Sequence, residues 1–140
     1  MIVLDTNVVS ELARPEPDQR VLAWLASQSP ETVYLTTINE AELRAGAMLL
    51  PSGRRRDRLS ARLDRLLSWH FGSRILPFDT HAARAFAAVT AEARHRGRVV
   101  DPVDRQIAAI AYSVGFAVAT RNVRHFDYCG LEVIDPWAAA

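Results

Sequence analysis

Two hydrophobic periods take turns along the chain. Short apolar runs with β-branched members, at residues 2–4, 33–36, 74–78, 117–120 and 131–134, read as strands. Between them apolar residues recur every three or four positions and predict helices. Two short helices are expected over 7–13 and 19–27: Pro15 and Pro17 stop the first, and Asp18 caps the second, which has Val21, Leu22 and Leu25 on one face. Thr37-Ile38-Asn39-Glu40 reads as a capping box opening a helix that ends near Leu50, before Pro51. Its expected buried face is Ile38, Ala41, Ala45 and Leu49, with Glu42 in the middle of that face and Glu40 pointing away. A longer helix over 55–68 has Leu59, Leu63, Leu66 and Leu67 as its apolar stripe and Arg58, Arg62 and Arg65 beside it. Asp79 caps the next helix and Gly97 ends it. In the last helix Asp101 is the cap, Pro102 takes the first helical position and Asp104 falls in the first turn. Ile107, Ala108, Ala111 and Val114 form its apolar face, and Gly115 closes it.

Strands that alternate with helices predict an α/β fold. The expected architecture is a central, mostly parallel sheet of four to five strands, joined by right-handed crossovers and flanked by helices on both faces. A length of 140 residues without repeat, linker or low-complexity segment predicts one domain over 1–140.

Composition narrows the class. A hydrophobic fraction of 49% with 24% charged residues is that of a globular protein, and a formal net charge of +1 does not mark a strong polyanion binder. All 17 basic residues are arginine, which fits a genome-wide bias and also suits phosphate contact. With Cys129 as the sole cysteine, neither an internal disulfide nor a cysteine zinc site can form. No apolar run is long enough to span a bilayer, and Asp5 interrupts any leader-like N-terminus, so a cytoplasmic protein is expected.

The candidate chemistry lies in three acids. Asp5 ends the first strand, at the edge where open α/β sheets bind ligands. Glu42 and Asp104 sit on helix faces that otherwise read as core, near the N-termini of helices that meet that same edge. An unpaired buried carboxylate is costly, and a hard divalent cation is the simplest partner for several together. Each acid also has a structural reading: Asp5 as a helix cap, Glu42 paired with Arg44 or Arg105, and Asp104 favoured by its helix dipole. His70, His81, His95 and His125 read as surface or packing residues, and Cys129 as a small buried hydrophobe.

Ile2-Val3-Leu4-Asp5-Thr6-Asn7, Glu42-Leu43-Arg44-Ala45-Gly46, Asp104-Arg105-Gln106-Ile107-Ala108-Ala109 and Ala119-Thr120-Arg121-Asn122 with His125-Phe126 resemble, in order and spacing, the PIN-domain ribonucleases. They are most similar to the VapC toxins of toxin–antitoxin pairs, in the FitB-like branch, which Pro136-Trp137 also fits. The resemblance implies a single PIN-like domain acting as a ribonuclease, with Asp5, Glu42 and Asp104 as Mg²⁺ or Mn²⁺ ligands and Asn122 as the fourth catalytic position. Asp127 is an alternative to Asn122, Asp101 a further nearby acid, and Thr6 and Asn7 supports of the Asp5 turn. Arg121 and Arg124 lie closest to the expected site as phosphate contacts, with 54–56 and the Arg58, Arg62, Arg65 stripe as further candidates. A cognate VapB- or FitA-like antitoxin, a homodimer and DNA contact only through the antitoxin are implied in the same way. Two other readings compete. One is a non-catalytic RNA- or protein-binding module of the same fold. The other is a receiver- or dehalogenase-like phosphotransfer protein with Asp5 as phosphoacceptor, against which stand the missing Asp-x-Asp pattern and the absence of lysine.

Overall fold

The computed structural model describes residues 1–138. The expected single domain therefore reaches two residues beyond the described ones. Five parallel strands form one sheet: β1 (Ile2–Leu4), β2 (Val33–Thr36), β3 (Ile75–Leu76), β4 (Ala117–Ala119) and β5 (Val133–Ile134), in the order β3-β2-β1-β4-β5. The N-terminal strand is central, so Ile2, Val3 and Leu4 are covered on both faces, as their unbroken apolar run requires.

Side chains alternate between the faces. Val3 and Val118 point to the layer made by α5 (Thr80–His95) and α6 (Pro102–Val114), where Val89, Ala93, Ile107, Ala108 and Ala111 meet them. Leu4, Leu35 and Ala119 point to the other layer, made by α1 (Thr6–Leu12), α2 (Gln19–Ala26), α3 (Thr37–Met48) and α4 (Arg54–Arg65), and are covered there by Val8, Val21, Leu63 and Trp137. Asp18, Asp79 and Asp101 cap α2, α5 and α6 as expected, and Gly115 ends α6 at φ 72°, a left-handed position that glycine adopts without strain.

Two expectations are corrected on α3. The capping box lies one residue earlier: Thr36 is the cap and Asn39, not Glu40, returns the bond. The Asn39 amide oxygen accepts the Thr36 N–H at 2.8 Å, and both residues of the box are buried. The helix is also turned on its axis. Asn39 and Ala47 are buried and Leu43 is packed into the core, while Ala41, Ala45 and Leu49 are exposed. A further difference lies after α4, where the chain continues as a π-helical stretch (Leu66–Phe71) that puts Leu67 in the core and leaves Trp69 86% exposed.

Candidate active site

Asp5 follows β1 at the C-terminal edge of the sheet and caps α1. It is 4% exposed, and each oxygen is occupied. Oδ1 accepts the Thr6 backbone N–H at 2.7 Å; Oδ2 accepts the Thr120 hydroxyl at 2.7 Å and the Asn7 amide at 3.1 Å. The parallel register explains the Thr120 contact: Leu4 pairs with Ala119, so the next residues on the two strands stand side by side. Burial, the largest influence, pushes the Asp5 carboxyl up to about 6, against the pull of the Thr120 hydroxyl. The charges of Asp104 and Glu42 push it further, and the Thr6 N–H opposes them.

Glu42 comes from α3 and faces the same edge. It is exposed rather than buried, which follows from the rotation of the helix, so core burial does not account for its placement. It is held by a relay instead. The Thr6 hydroxyl donates to Oε1 at 2.7 Å and accepts the Asn39 side-chain amide at 2.9 Å, and Asn39 is locked by Thr36 through the capping box. The Glu42 carboxyl is raised first by loss of water around it, against the Thr6 hydroxyl, and then by Asp104 and Asp101. Arg44 does not pair with it; that guanidinium holds Glu40 at 3.0 Å and Asp64 at 2.8 Å.

Asp104 stands in the first turn of α6 with its side chain 18% exposed, and its Oδ2 lies 2.6 Å from Nδ1 of His125. His125 is therefore a neighbour of the site and not a scattered surface residue. The sequence signal for it was the segment Arg121-Asn122-Val123-Arg124-His125 itself, which returns from the end of β4 across the sheet edge. Thr120, Thr36 and Asn39 were missed for a different reason: hydroxyls and amides mid-chain carry no pattern until the register is known.

The other predicted positions divide. Asn122 is exposed just beyond Thr120, and its N–H donates to the Thr120 hydroxyl at 2.9 Å. Asp127 turns to Arg98 at 3.1 Å, and Asp101 caps α6 by accepting the Val103 N–H at 2.8 Å. Arg121 lies over the Trp137 ring, 5.4 Å from its centroid, and Arg124 is exposed. Cys129 is buried as expected.

Among the described residues no three acid, imidazole or thiol side chains converge tightly enough to grip one ion, and Asp5, Glu42 and Asp104 are each hydrogen-bonded to a separate partner. The chemistry of the set nonetheless fits a hard divalent cation: the three carboxylates offer oxygen, Asp5 and Glu42 both feel the charge of Asp104, and among the described residues none of the three touches an arginine. A groove of about 550 Å³ opens beside them, from Thr6 and Glu42 along Val9, Leu43, Ala47 and Leu63.

A parallel α/β sheet whose central strand delivers an aspartate to two further acids at one edge is the arrangement of the PIN domain, and this chain belongs to the PIN-domain family, whose signature matches residues 2–131. Its relatives within the family are of the VapC and FitB type. It is 46% identical to the VapC ribonuclease Y4jK of Sinorhizobium fredii over 140 residues, covering 100% of both chains. It is 42% identical to toxin FitB of Neisseria gonorrhoeae over 137 residues, covering 98% of this chain and 99% of that one. The solved structure of FitAB bound to an IR36 DNA fragment superposes with a TM-score of 0.95 at 40% identity, covering 100% of this chain and 98% of that one.

Proposed function

We propose that this chain is the toxin of a VapBC-type toxin–antitoxin pair, a metal-dependent ribonuclease that hydrolyses RNA phosphodiester bonds. The observation that carries the reading is Asp5: a buried carboxylate at the sheet edge, crowded by two further acids and relieved by no arginine. Asp5, Glu42 and Asp104 would hold Mg²⁺ or Mn²⁺, with Asn122 offering a neutral oxygen. Held there, such an ion would supply Lewis acidity toward a water and toward the phosphate and leaving oxygens.

The chain's own groups hold the acids in place for this work. Thr120, Asn7 and the Thr6 N–H fix both oxygens of Asp5; the Thr6 hydroxyl, itself held by Asn39, fixes Glu42; and His125 fixes Asp104. Arg121 and Arg124, at the same edge, are assigned to contact the RNA backbone.

The partner is a cognate VapB- or FitA-like antitoxin, and DNA is met only through it. The apolar groove beginning at Glu42 suits a segment of such a partner. A homodimer is supported by α3, where Ala41, Ala45, Met48 and Leu49 form an exposed apolar stripe at helical spacing. The whole of 1–140 is taken as one PIN domain acting in the cytoplasm; among the described residues no helix is long and apolar enough to cross a membrane.

The test is cleavage of a mixed RNA pool by purified, antitoxin-free protein, with cut ends mapped. Cuts that need Mg²⁺ or Mn²⁺, stop with EDTA and vanish in Asp104→Asn are expected. Metal binding without any cut would favour the non-catalytic binding module.

A further inference from the structure

Three carboxylates at one edge also repel the polyanion they are proposed to cut. Opposite charge is gathered at the start of α6, the helix that carries Asp104. The last turns of α5 and the start of α6 enclose a concavity of about 260 Å³ lined by Thr90, Arg94, Arg98 and Arg105 over Ala93 and Val100. No carboxylate lines it.

Arg105 is its fixed point. Its Nη1 donates to the Thr90 hydroxyl at 2.9 Å and its guanidinium lies over the Phe86 ring, 5.2 Å from the centroid. Its Nε is buried and has no hydrogen-bond partner, and among the described residues no carboxylate pairs with it. The Nε is shut away from the pocket, but a half-buried, immobilised cation with no carboxylate partner is as unbalanced as the acids are, and an anion in the pocket would balance its charge. Arg98 stands beside it, half-committed: it holds the Arg124 carbonyl and Asp127, both at 3.1 Å. Arg94 is exposed and has no ion-pair partner among the described residues.

The pocket is tied to the site on two sides. Arg105 directly follows Asp104, so the two side chains leave α6 roughly 100° apart from consecutive positions. Arg98 grips the carbonyl of Arg124, whose neighbour His125 holds Asp104. We propose that Thr90, Arg94, Arg98 and Arg105 form a subsite for an RNA phosphate outside the scissile one, which positions the strand over the carboxylates; this rests on the nuclease reading above. Guanidinium forks match phosphate oxygens in pairs, and the nuclease reading places a strand with a phosphate at every nucleotide beside this pocket, which favours a phosphodiester strand as the occupant.

The experiment measures binding of a mixed-sequence single-stranded RNA across a salt series. All proteins carry Asp5→Asn, so that no RNA is cut during the measurement, and cleavage by the unsubstituted protein is scored separately. Arg94→Gln and Arg105→Gln should each weaken binding roughly five- to tenfold across sequences and lower the salt slope by about one. Arg84→Gln, which removes the same charge from α5 outside the pocket, should change affinity less than about twofold. Equal losses for all three variants, or no loss for Arg94→Gln, would overturn the subsite. Arg94 is exposed, so its variant decides the matter even if Arg105→Gln does not fold. Absence of cleavage by the unsubstituted protein, with the Arg94 and Arg105 effects intact, would remove the nuclease reading and leave an RNA-binding pocket. RNA binding unchanged in both variants while cleavage persists would remove the subsite alone.

Discussion

Asp5 is strained toward its neutral form. Its pKa in the folded protein, about 6, lies above the ordinary value of 3.8, so the folded state binds the proton more tightly than the unfolded one. Stability from this group is complete below pH 3.8 and is lost as pH rises through 6, on the order of 3 kcal/mol in all. Metal-free Asp5→Asn should therefore resist urea better than the parent at pH 7.5, and the difference should shrink toward pH 4; equal midpoints at both pH values would show that Asp5 is not strained. The same substitution should end RNA cleavage. Thr120→Val tests the hydroxyl that opposes the strain: removing it raises the Asp5 pKa, so the acid limb of the cleavage–pH profile should move to higher pH. These acids were visible in the sequence because the alternation of strands and helices brings Asp5, Glu42 and Asp104 to one edge of a parallel sheet. The groups that aim them were not, since Thr120 acquires its role only when β1 and β4 lie in register.

At the scale of the element, α3 shows what periodicity can and cannot tell. Its length and its place after a strand were legible, but the buried face was assigned one step around the helix. Ala41, Ala45 and Leu49 fit a core stripe as well as Asn39, Leu43 and Ala47 do, and a polar residue was not expected to be the most buried one. Asn39 is 0% exposed because it closes the capping box and carries the Thr6–Glu42 relay at once. Asn39→Ala should lower stability by about 2–3 kcal/mol in denaturant melts, from the lost cap and the unmet groups around it. It should also reduce kcat for RNA cleavage with Asp5, Glu42 and Asp104 all present. Loss of stability with full kcat would mean that the relay does not position Glu42.

For the molecule as a whole, the exposed stripe on α3 bears on the proposed homodimer. Leu49 is 86% and Met48 61% exposed. Leu49→Arg should sediment as a monomer where the parent sediments as the proposed dimer, with the circular dichroism unchanged; a dimer that survives places the interface elsewhere. The sheet order has a different consequence, one of timing. β1 is made first and lies at the centre, but its neighbour β4 lies more than a hundred residues later, and Thr120 follows β4. A chain emerging from the ribosome holds Asp5 and Glu42 early, yet Asp104, Thr120 and His125 arrive near its end, and pairings so distant in sequence form late. On the proposed nuclease reading, a nascent or prematurely ended chain therefore lacks Asp104 and the hydroxyl that holds Asp5, and its site is complete only when synthesis nearly is.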